Sequence, residues 1–218
     1  MKAYTHLVFD IDGTLLNTEM AVLHSLQWAL QHNNRAVSGA ASVCSTSRQG
    51  ADPLSADRRS GAAGMGREIC GFLREITILK ELFAAQALRA RGIHLGVVTS
   101  KTQVELAQDF DAMGLTDYFD IIVTADDTVQ HKPDAEPMLN YLKRSGAKAA
   151  ETIYIGDADY DLQCALRAGC DCALAQWGRT DLPATAPTWI LHQVSDVWKL
   201  PGLKSGDADR YLFRNRAN

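Results

Sequence analysis

Two aspartates, Asp10 and Asp12, directly follow a short apolar run over residues 6–9. Residues that are two apart in an extended chain project to the same side, so both carboxylates are expected to face one site. Adjacent acids repel each other unless a cation or a shared proton offsets the repulsion. The pair therefore predicts a nucleophile and an acid/base held at a metal. The alternative is an ordinary turn in which Asp12 and Gly13 only make the bend.

Phosphoryl transfer requires further side chains, and five residues later in the chain can supply them. They are Thr99, Ser100, Lys132, Asp157 and Asp161. A carboxylate can act as a nucleophile and form an aspartyl-phosphate, and carboxylate oxygens suit Mg²⁺. Lysine and hydroxyl groups can hold phosphate oxygens. Together with the acid pair, these residues predict a Mg²⁺-dependent phosphoryl-transfer site.

The same residues share a position relative to the predicted strands. Hydrophobic periodicity predicts six strands, at residues 6–9, 93–99, 120–123, 152–157, 172–175 and 188–191,. Helical spacing lies between them, notably over residues 102–113 and 160–168. This alternation is typical of an α/β protein with a Rossmann-like, three-layer core and a parallel sheet. Ligands of such sheets bind beyond the carboxyl ends of the strands, which is where these side chains lie.

Each of these residues also has an ordinary structural explanation. Thr99 suits a strand end because it is β-branched, and Lys132 suits an exposed loop. The acids between Asp157 and Asp161 suit a helix N-terminus, where the helix dipole favours negative charge. The functional interpretation is favoured because chance would have to place every matching residue type after successive strands.

Composition excludes several other classes of function. The chain has 218 residues, of which 46% are hydrophobic and 22% charged, as in ordinary globular proteins,. Its formal net charge of −4 argues against nucleic acid as the main partner,. No apolar run reaches the roughly 20 residues that span a bilayer, and the N-terminus lacks a signal-peptide pattern. We therefore expect a cytoplasmic protein without a membrane partner.

The chemistry-bearing residues form four motifs in a familiar order. DxDGT stands at residues 10–14, a strand-ending threonine at Thr99, Lys-Pro at residues 132–133 and GDxxxD at residues 156–161. In this respect the chain resembles the haloacid dehalogenase superfamily, and specifically its phosphoglycolate phosphatase-like branch. The resemblance covers residues 6–32 and about 80–200.

The resemblance implies a role for each site residue. Asp10 would be the nucleophile and a Mg²⁺ ligand, and Asp12 the acid/base, which also binds the metal through its backbone carbonyl. Thr99, Ser100 and Lys132 would bind the phosphate group, and Lys132 would also steady Asp10. Asp157 would complete the metal ligands, with Asp161 supporting that site.

The resemblance also implies a division of the chain. Residues 1–16 and 80–200 would form the core, residues 17–79 a helical cap inserted between the first two motifs, and residues 201–218 a polar tail. Residues 33–66 are atypical for such a cap, since they are rich in Ser, Gly, Ala and Arg and lack helical periodicity,. They form either an irregular cap or a stretch in which the sequence is altered, for example by a reading-frame error.

The function expected from these motifs is a Mg²⁺-dependent phosphatase that acts on a small phosphorylated metabolite through an aspartyl-phosphate. One alternative is a phosphomutase of the β-phosphoglucomutase type, which shares all four motifs. Another is a non-catalytic binding or regulatory protein on the same fold. The sequence does not identify the substrate.

Overall fold

The computed structural model describes residues 3–16, 88–177 and 182–203. The chain divides into two units, Met1–Leu16 with Ile78–Asn218, and Asn17–Thr77. The second unit lies outside the described residues. The predicted cap, its atypical stretch and most of the polar tail therefore stay predictions.

Six strands of the described residues form one parallel sheet. They are β1 His6–Phe9, β2 His94–Val98, β3 Ile121–Val123, β4 Thr152–Gly156, β5 Asp171–Ala175 and β6 Trp189–Leu191. Their order is β3-β2-β1-β4-β5-β6. The chain thus winds outward from β1 to β3 and then returns to the other side of β1. Ligands of open α/β sheets bind at such a switch point, which here lies between β1 and β4.

Helices cover both faces of this sheet, which confirms the predicted three-layer α/β core. They are α1 Gln103–Gln108, α2 Glu136–Ser145 and α3 Asp159–Arg167, with 3₁₀ helices at Thr116–Tyr118, Ala125–Asp127, Ala149–Glu151 and Val194–Lys199. Alternate residues of β1 belong to opposite apolar clusters, Leu7 with Leu106 of α1 and Val8 with Leu162 of α3. The alternation follows from the two-residue period of a strand. Both faces of β1 are consequently buried.

Helix α1 is shorter than the predicted helix over residues 102–113. It begins at a capping box in which Thr102 and Glu105 exchange hydrogen bonds,. It ends after Gln108, where the carboxylate of Asp109 accepts the amide N–H of Phe110. Aspartate competes in this way with the helical backbone for hydrogen bonds. The prediction of helix over residues 109–113 is therefore wrong.

Gly96 in β2 allows close packing of α2, because a Cβ at this position would overlap the ring of Tyr141. We predict that Gly96→Ala lowers the free energy of unfolding by about 1–3 kcal/mol, the usual cost of overpacking. Urea denaturation measures the change. In a Tyr141→Leu background the same substitution should cost less, since the ring is gone. An equal cost in both backgrounds would contradict the packing explanation.

Candidate active site

Asp10 and Asp157 follow neighbouring strands at the same edge of the sheet. In the register of β1 and β4, Phe9 lies opposite Ile155, and the amide of Asp10 donates to the carbonyl of Ile155 at 2.9 Å. Asp157 comes one residue beyond the end of β4. Both side chains are buried. The parallel register thus brings together two acids that are separated by most of the chain.

A third acid, Asp161, joins this pair from the first turn of α3. One carboxylate oxygen from each of Asp10, Asp157 and Asp161 lies within 4.8 Å of the other two. The amide of Ala158 donates to Asp161 Oδ2 at 3.0 Å, which orients the third carboxylate. The N-cap explanation of this acidic run is therefore incomplete, because Asp161 is fully buried and faces the other two acids.

Lys132 offsets part of the negative charge of this acid cluster. Its Nζ lies 2.8 Å from Asp10 Oδ1 and 2.8 Å from Asp161 Oδ1, and its side chain is only 2% exposed. The alternative of an ordinary exposed loop lysine is therefore wrong. Three carboxylates and one ammonium leave two formal negative charges, which is what one divalent cation balances.

Burial sets the protonation behaviour of this cluster. Burial, with the charges of Asp161 and Asp12, raises the pKa of Asp10 well above its ordinary value, although Lys132 acts in the opposite direction,. For Lys132, burial alone lowers the pKa, but the charges of Asp10 and Asp161 outweigh it and the pKa is raised. Lys132 is therefore an ammonium, and Asp10 ionises more readily once a further cation is near.

Tyr154, which the sequence analysis missed, connects the lysine to the sheet. Its hydroxyl accepts from Lys132 Nζ at 3.0 Å and donates to the carbonyl of Val98 at 2.7 Å. The ring centroid of Tyr160 lies 5.2 Å from the same Nζ. A tyrosine in an otherwise apolar buried strand was the available signal, since a buried tyrosine hydroxyl usually has a partner.

Gly13 is required by the close approach of the first motif to Asp157. A Cβ at Gly13 would lie 2.5 Å from Asp157 Oδ2, and the φ of this residue is +79°. Its role as a turn residue is real, but the missing side chain also makes room for a carboxylate. The following loop is fixed by Trp177, whose Nε1 donates to the carbonyl of Thr14 at 3.0 Å.

Asp12 lies outside the buried acid cluster. Its side chain is 40% exposed, and its Oδ1 lies 3.2 Å from Nζ of Lys101. Thr99, at the end of β2, is buried, and its hydroxyl accepts from the amide of Lys101 at 3.1 Å. Ser100 is exposed beside it. The edge thus carries a buried acid cluster. It also carries the more accessible Asp12 and the hydroxyl groups of Thr99 and Ser100.

The sequence of this chain is similar to those of known hydrolases. The family profile described as haloacid dehalogenase-like hydrolase matches residues 74–175, which contain three of the four motifs. A protein of Clostridium perfringens named after the pyrophosphatase PpaX is 30% identical over 173 residues, 75% of this chain and 79% of that protein. The chain belongs to the haloacid dehalogenase-like hydrolases. The predicted family is thereby confirmed.

A further relative and a solved structure with the same fold extend the comparison over nearly the whole hydrolase. A phosphoglycolate phosphatase of Yersinia pestis is 28% identical over 222 residues, 94% of this chain and 96% of the relative. The crystal structure of YfnB from Bacillus subtilis, bound to magnesium, shares the fold with a TM-score of 0.67 and 19% identity, covering 94% of this chain and 100% of YfnB.

Within residues 3–16, 88–177 and 182–203, no helix has the length and apolar character to span a bilayer.

We predict that Asp10 makes the metal-free hydrolase less stable as the pH rises, because the carboxyl ionises at a lower pH in the unfolded chain than in the folded protein,. A carboxyl whose pKa is raised by folding stabilises the folded state below the unfolded pKa of about 3.9 and loses that contribution as the pH rises through the folded pKa. Relative to Asp10→Asn, the wild type should therefore lose about 1 kcal/mol per pH unit above that value, until Asp10 ionises. Urea denaturation in EDTA at several pH values measures the difference.

The matched control for this comparison is Asp117→Asn, which removes one exposed carboxylate from the 3₁₀ helix that precedes β3. It should reproduce the pH dependence of the wild type. A wild type that gains stability over Asp10→Asn as the pH rises would contradict the prediction, because Lys132 would then outweigh burial.

Proposed function

We propose that this chain hydrolyses the phosphomonoester of a small metabolite, with Asp10 as the nucleophile and Mg²⁺ as the cofactor. The observation that carries the proposal is the ammonium of Lys132, which is buried between Asp10 and Asp161 at the switch point of the sheet. Two relatives named as phosphate-cleaving enzymes support it. The family profile is described only as a hydrolase, and we propose that the bond cleaved by this chain is that of a phosphate ester.

The position of Asp10 suits nucleophilic attack on phosphorus. Lys132 binds Oδ1 at 2.8 Å and so fixes the carboxylate plane, which leaves Oδ2 for attack. Attack forms a bond from this oxygen to phosphorus, breaks the bond to the leaving alcohol and produces an aspartyl-phosphate. The same ammonium can then stabilise negative charge on a phosphate oxygen. Holding the nucleophile in one orientation lowers the entropic part of the barrier.

The residues at this edge fit a Mg²⁺ ion. Asp10 and Asp157 would hold it, since Mg²⁺ prefers oxygen ligands and usually takes one or two carboxylates. Both oxygens of Asp161 are engaged, Oδ1 by Lys132 and Oδ2 by Ala158, so Asp161 would support the site from outside,. When bound, the ion reduces the repulsion between the anionic nucleophile and the phosphate and stabilises charge in the transition state.

Asp12 suits general acid and base catalysis. It is two residues from the nucleophile and is exposed enough to meet a leaving alcohol and a water molecule. We assign it the proton that the alcohol takes up when the ester bond breaks. As a carboxylate it then removes a proton from the water that hydrolyses the aspartyl-phosphate.

Thr99 and Ser100 suit contacts with the phosphate oxygens. The Thr99 hydroxyl already accepts from the Lys101 amide, so its own proton can be donated to an oxygen of the phosphate,. Ser100 lies beside it with an exposed side chain. With Lys132, these hydroxyl groups would supply donors on the side of β2.

The relatives suggest the class of substrate. One is named for phosphoglycolate and another after a pyrophosphatase. Phosphoglycolate and pyrophosphate are both small, strongly anionic phosphate compounds. We propose a substrate of that kind for this chain. The predicted cap would select the leaving group, as lids over active sites commonly do.

We predict that the wild type releases inorganic phosphate from at least one compound in a screen of small phosphate esters, including phosphoglycolate and sugar phosphates. Asp10→Asn should lower kcat at least about 10³-fold because the attacking oxygen is lost. Asp117→Asn should leave it unchanged. An isomerised sugar phosphate without phosphate release would favour the phosphomutase alternative. No turnover of any ester would favour a non-catalytic protein.

We also predict that Mg²⁺ binds and stabilises the folded protein. Addition of Mg²⁺ to EDTA-treated protein should raise the melting temperature, because the ion offsets the repulsion within the acid cluster. Asp157→Asn should abolish the rise, and Asp161→Asn should weaken Mg²⁺ binding about 10–100-fold, as expected for a supporting residue. Thermal melting measures the rise in melting temperature, and isothermal titration calorimetry measures the affinity for Mg²⁺. An unchanged affinity in Asp157→Asn would contradict the proposed ligand set.

A further inference from the structure

Lys101 is a second, half-buried lysine at the carboxyl edge of the sheet, and none of the four motifs includes it. Its Nζ lies 2.8 Å from Asp109 Oδ2 and 3.2 Å from Asp12 Oδ1, and its side chain is 15% exposed. Asp109 is also largely buried, whereas the side chain of Asp12 is 40% exposed. The ammonium therefore joins a well-packed carboxylate at the end of α1 to the accessible carboxylate of the first motif.

The backbone of Lys101 is fixed on both sides. Its amide donates to the hydroxyl of Thr99 at 3.1 Å, and its carbonyl accepts from the amide of Ala125 at 2.9 Å. The lysine thus starts from a rigid position just past the end of β2. A side chain anchored in this way loses less conformational entropy when it binds Asp12 than a free surface lysine does.

Lys101 is protonated at neutral pH, because its surroundings raise its pKa. Burial by itself lowers the pKa of Lys101, but the charges of Asp12 and Asp109 outweigh it and the net pKa is raised. The side chain of Lys101 is therefore an ammonium, which can donate to oxygens of both Asp12 and Asp109. Ion pairs at exposed sites contribute little, whereas this ammonium is mostly shielded from water.

We propose that Lys101 is a positioning residue for Asp12 and holds its carboxylate at the place where protons are exchanged with the leaving alcohol and with the hydrolytic water. This proposal rests on the proposed function. Proton transfer requires a donor within hydrogen-bond reach of the oxygen that receives the proton. An exposed aspartate samples several rotamers, and a displacement of roughly 1 Å can cost about 100-fold in rate. Lys101, anchored by Asp109, restricts Asp12 to one arrangement.

The two steps define what Lys101 would affect. In the first step the ester bond breaks while Asp12 gives its proton to the leaving oxygen and Asp10 becomes phosphorylated. In the second step Asp12 takes a proton from water, the water oxygen bonds to phosphorus and Asp10 is released. An alkoxide needs the proton in order to leave, whereas p-nitrophenolate is stable enough to leave without it. The first step therefore depends on Asp12 for alkyl phosphates only.

The test compares Lys101→Met with the wild type on p-nitrophenyl phosphate and on the alkyl phosphate that the wild type cleaves best. We expect kcat/KM for the alkyl phosphate to fall about 10–100-fold and kcat/KM for p-nitrophenyl phosphate to stay within about three-fold. With p-nitrophenyl phosphate the variant should also show a burst of p-nitrophenolate, because hydrolysis of phosphorylated Asp10 becomes slow. Asp12→Asn should show the same division between substrates.

Two further variants control the comparison. Lys101→Arg retains a cation and should recover part of the alkyl phosphatase activity. Lys148→Met removes an exposed lysine that precedes β4 at the opposite edge of the sheet, and should behave as the wild type. Thermal melting of each variant verifies that it is folded.

Three results would overturn the proposal. Equal losses on both substrates would show a general structural role for Lys101. An increase in KM with unchanged kcat would make Lys101 a substrate-binding residue instead. If the wild type and Lys148→Met cleave neither substrate, the proposed function fails, and the role of Lys101 fails with it. If the wild type is active but Lys101→Met loses kcat/KM equally for both substrates, only the role of Lys101 fails.

Discussion

The site depends on the repulsion between acids that the sheet forces together. Parallel strands β1 and β4 end at one edge, so Asp10 and Asp157 are buried side by side, and Asp161 adds a third carboxylate from α3. Such a cluster is costly unless cations offset it. Lys132 supplies one positive charge from the protein itself. The remaining negative charge suits a divalent cation, as the proposed function requires.

Two lysines divide the edge into two environments. Lys132 is enclosed with Tyr154, and it fixes the carboxylate that is proposed to attack phosphorus. Lys101 lies nearer the surface and contacts Asp12, whose proposed work needs contact with an alcohol and with water. A nucleophile benefits from a dry and rigid setting, whereas an acid/base that serves two molecules in turn must remain accessible. The burial of each aspartate matches the role proposed for it.

The relatives place this arrangement within the haloacid dehalogenase-like hydrolases, although identity to them is only 28–30%. The residues to which we assign the chemistry lie at strand ends, where loops can differ in length without moving the sheet. The names of the two relatives refer to different phosphate compounds.

The sequence by itself determined the parallel α/β fold and the residue types at the carboxyl edge, because strand periodicity and strand ends are local properties of the chain. It also predicted that Asp10, Lys132, Asp157 and Asp161 share one edge of the sheet, and their side chains do lie close together there. Tertiary structure alone decided that Tyr154 binds Lys132, that Gly13 clears space for Asp157 and that Lys101 joins Asp109 to Asp12. These contacts join residues whose spacing along the chain has no period, so only the folded packing of strands and helices brings them together.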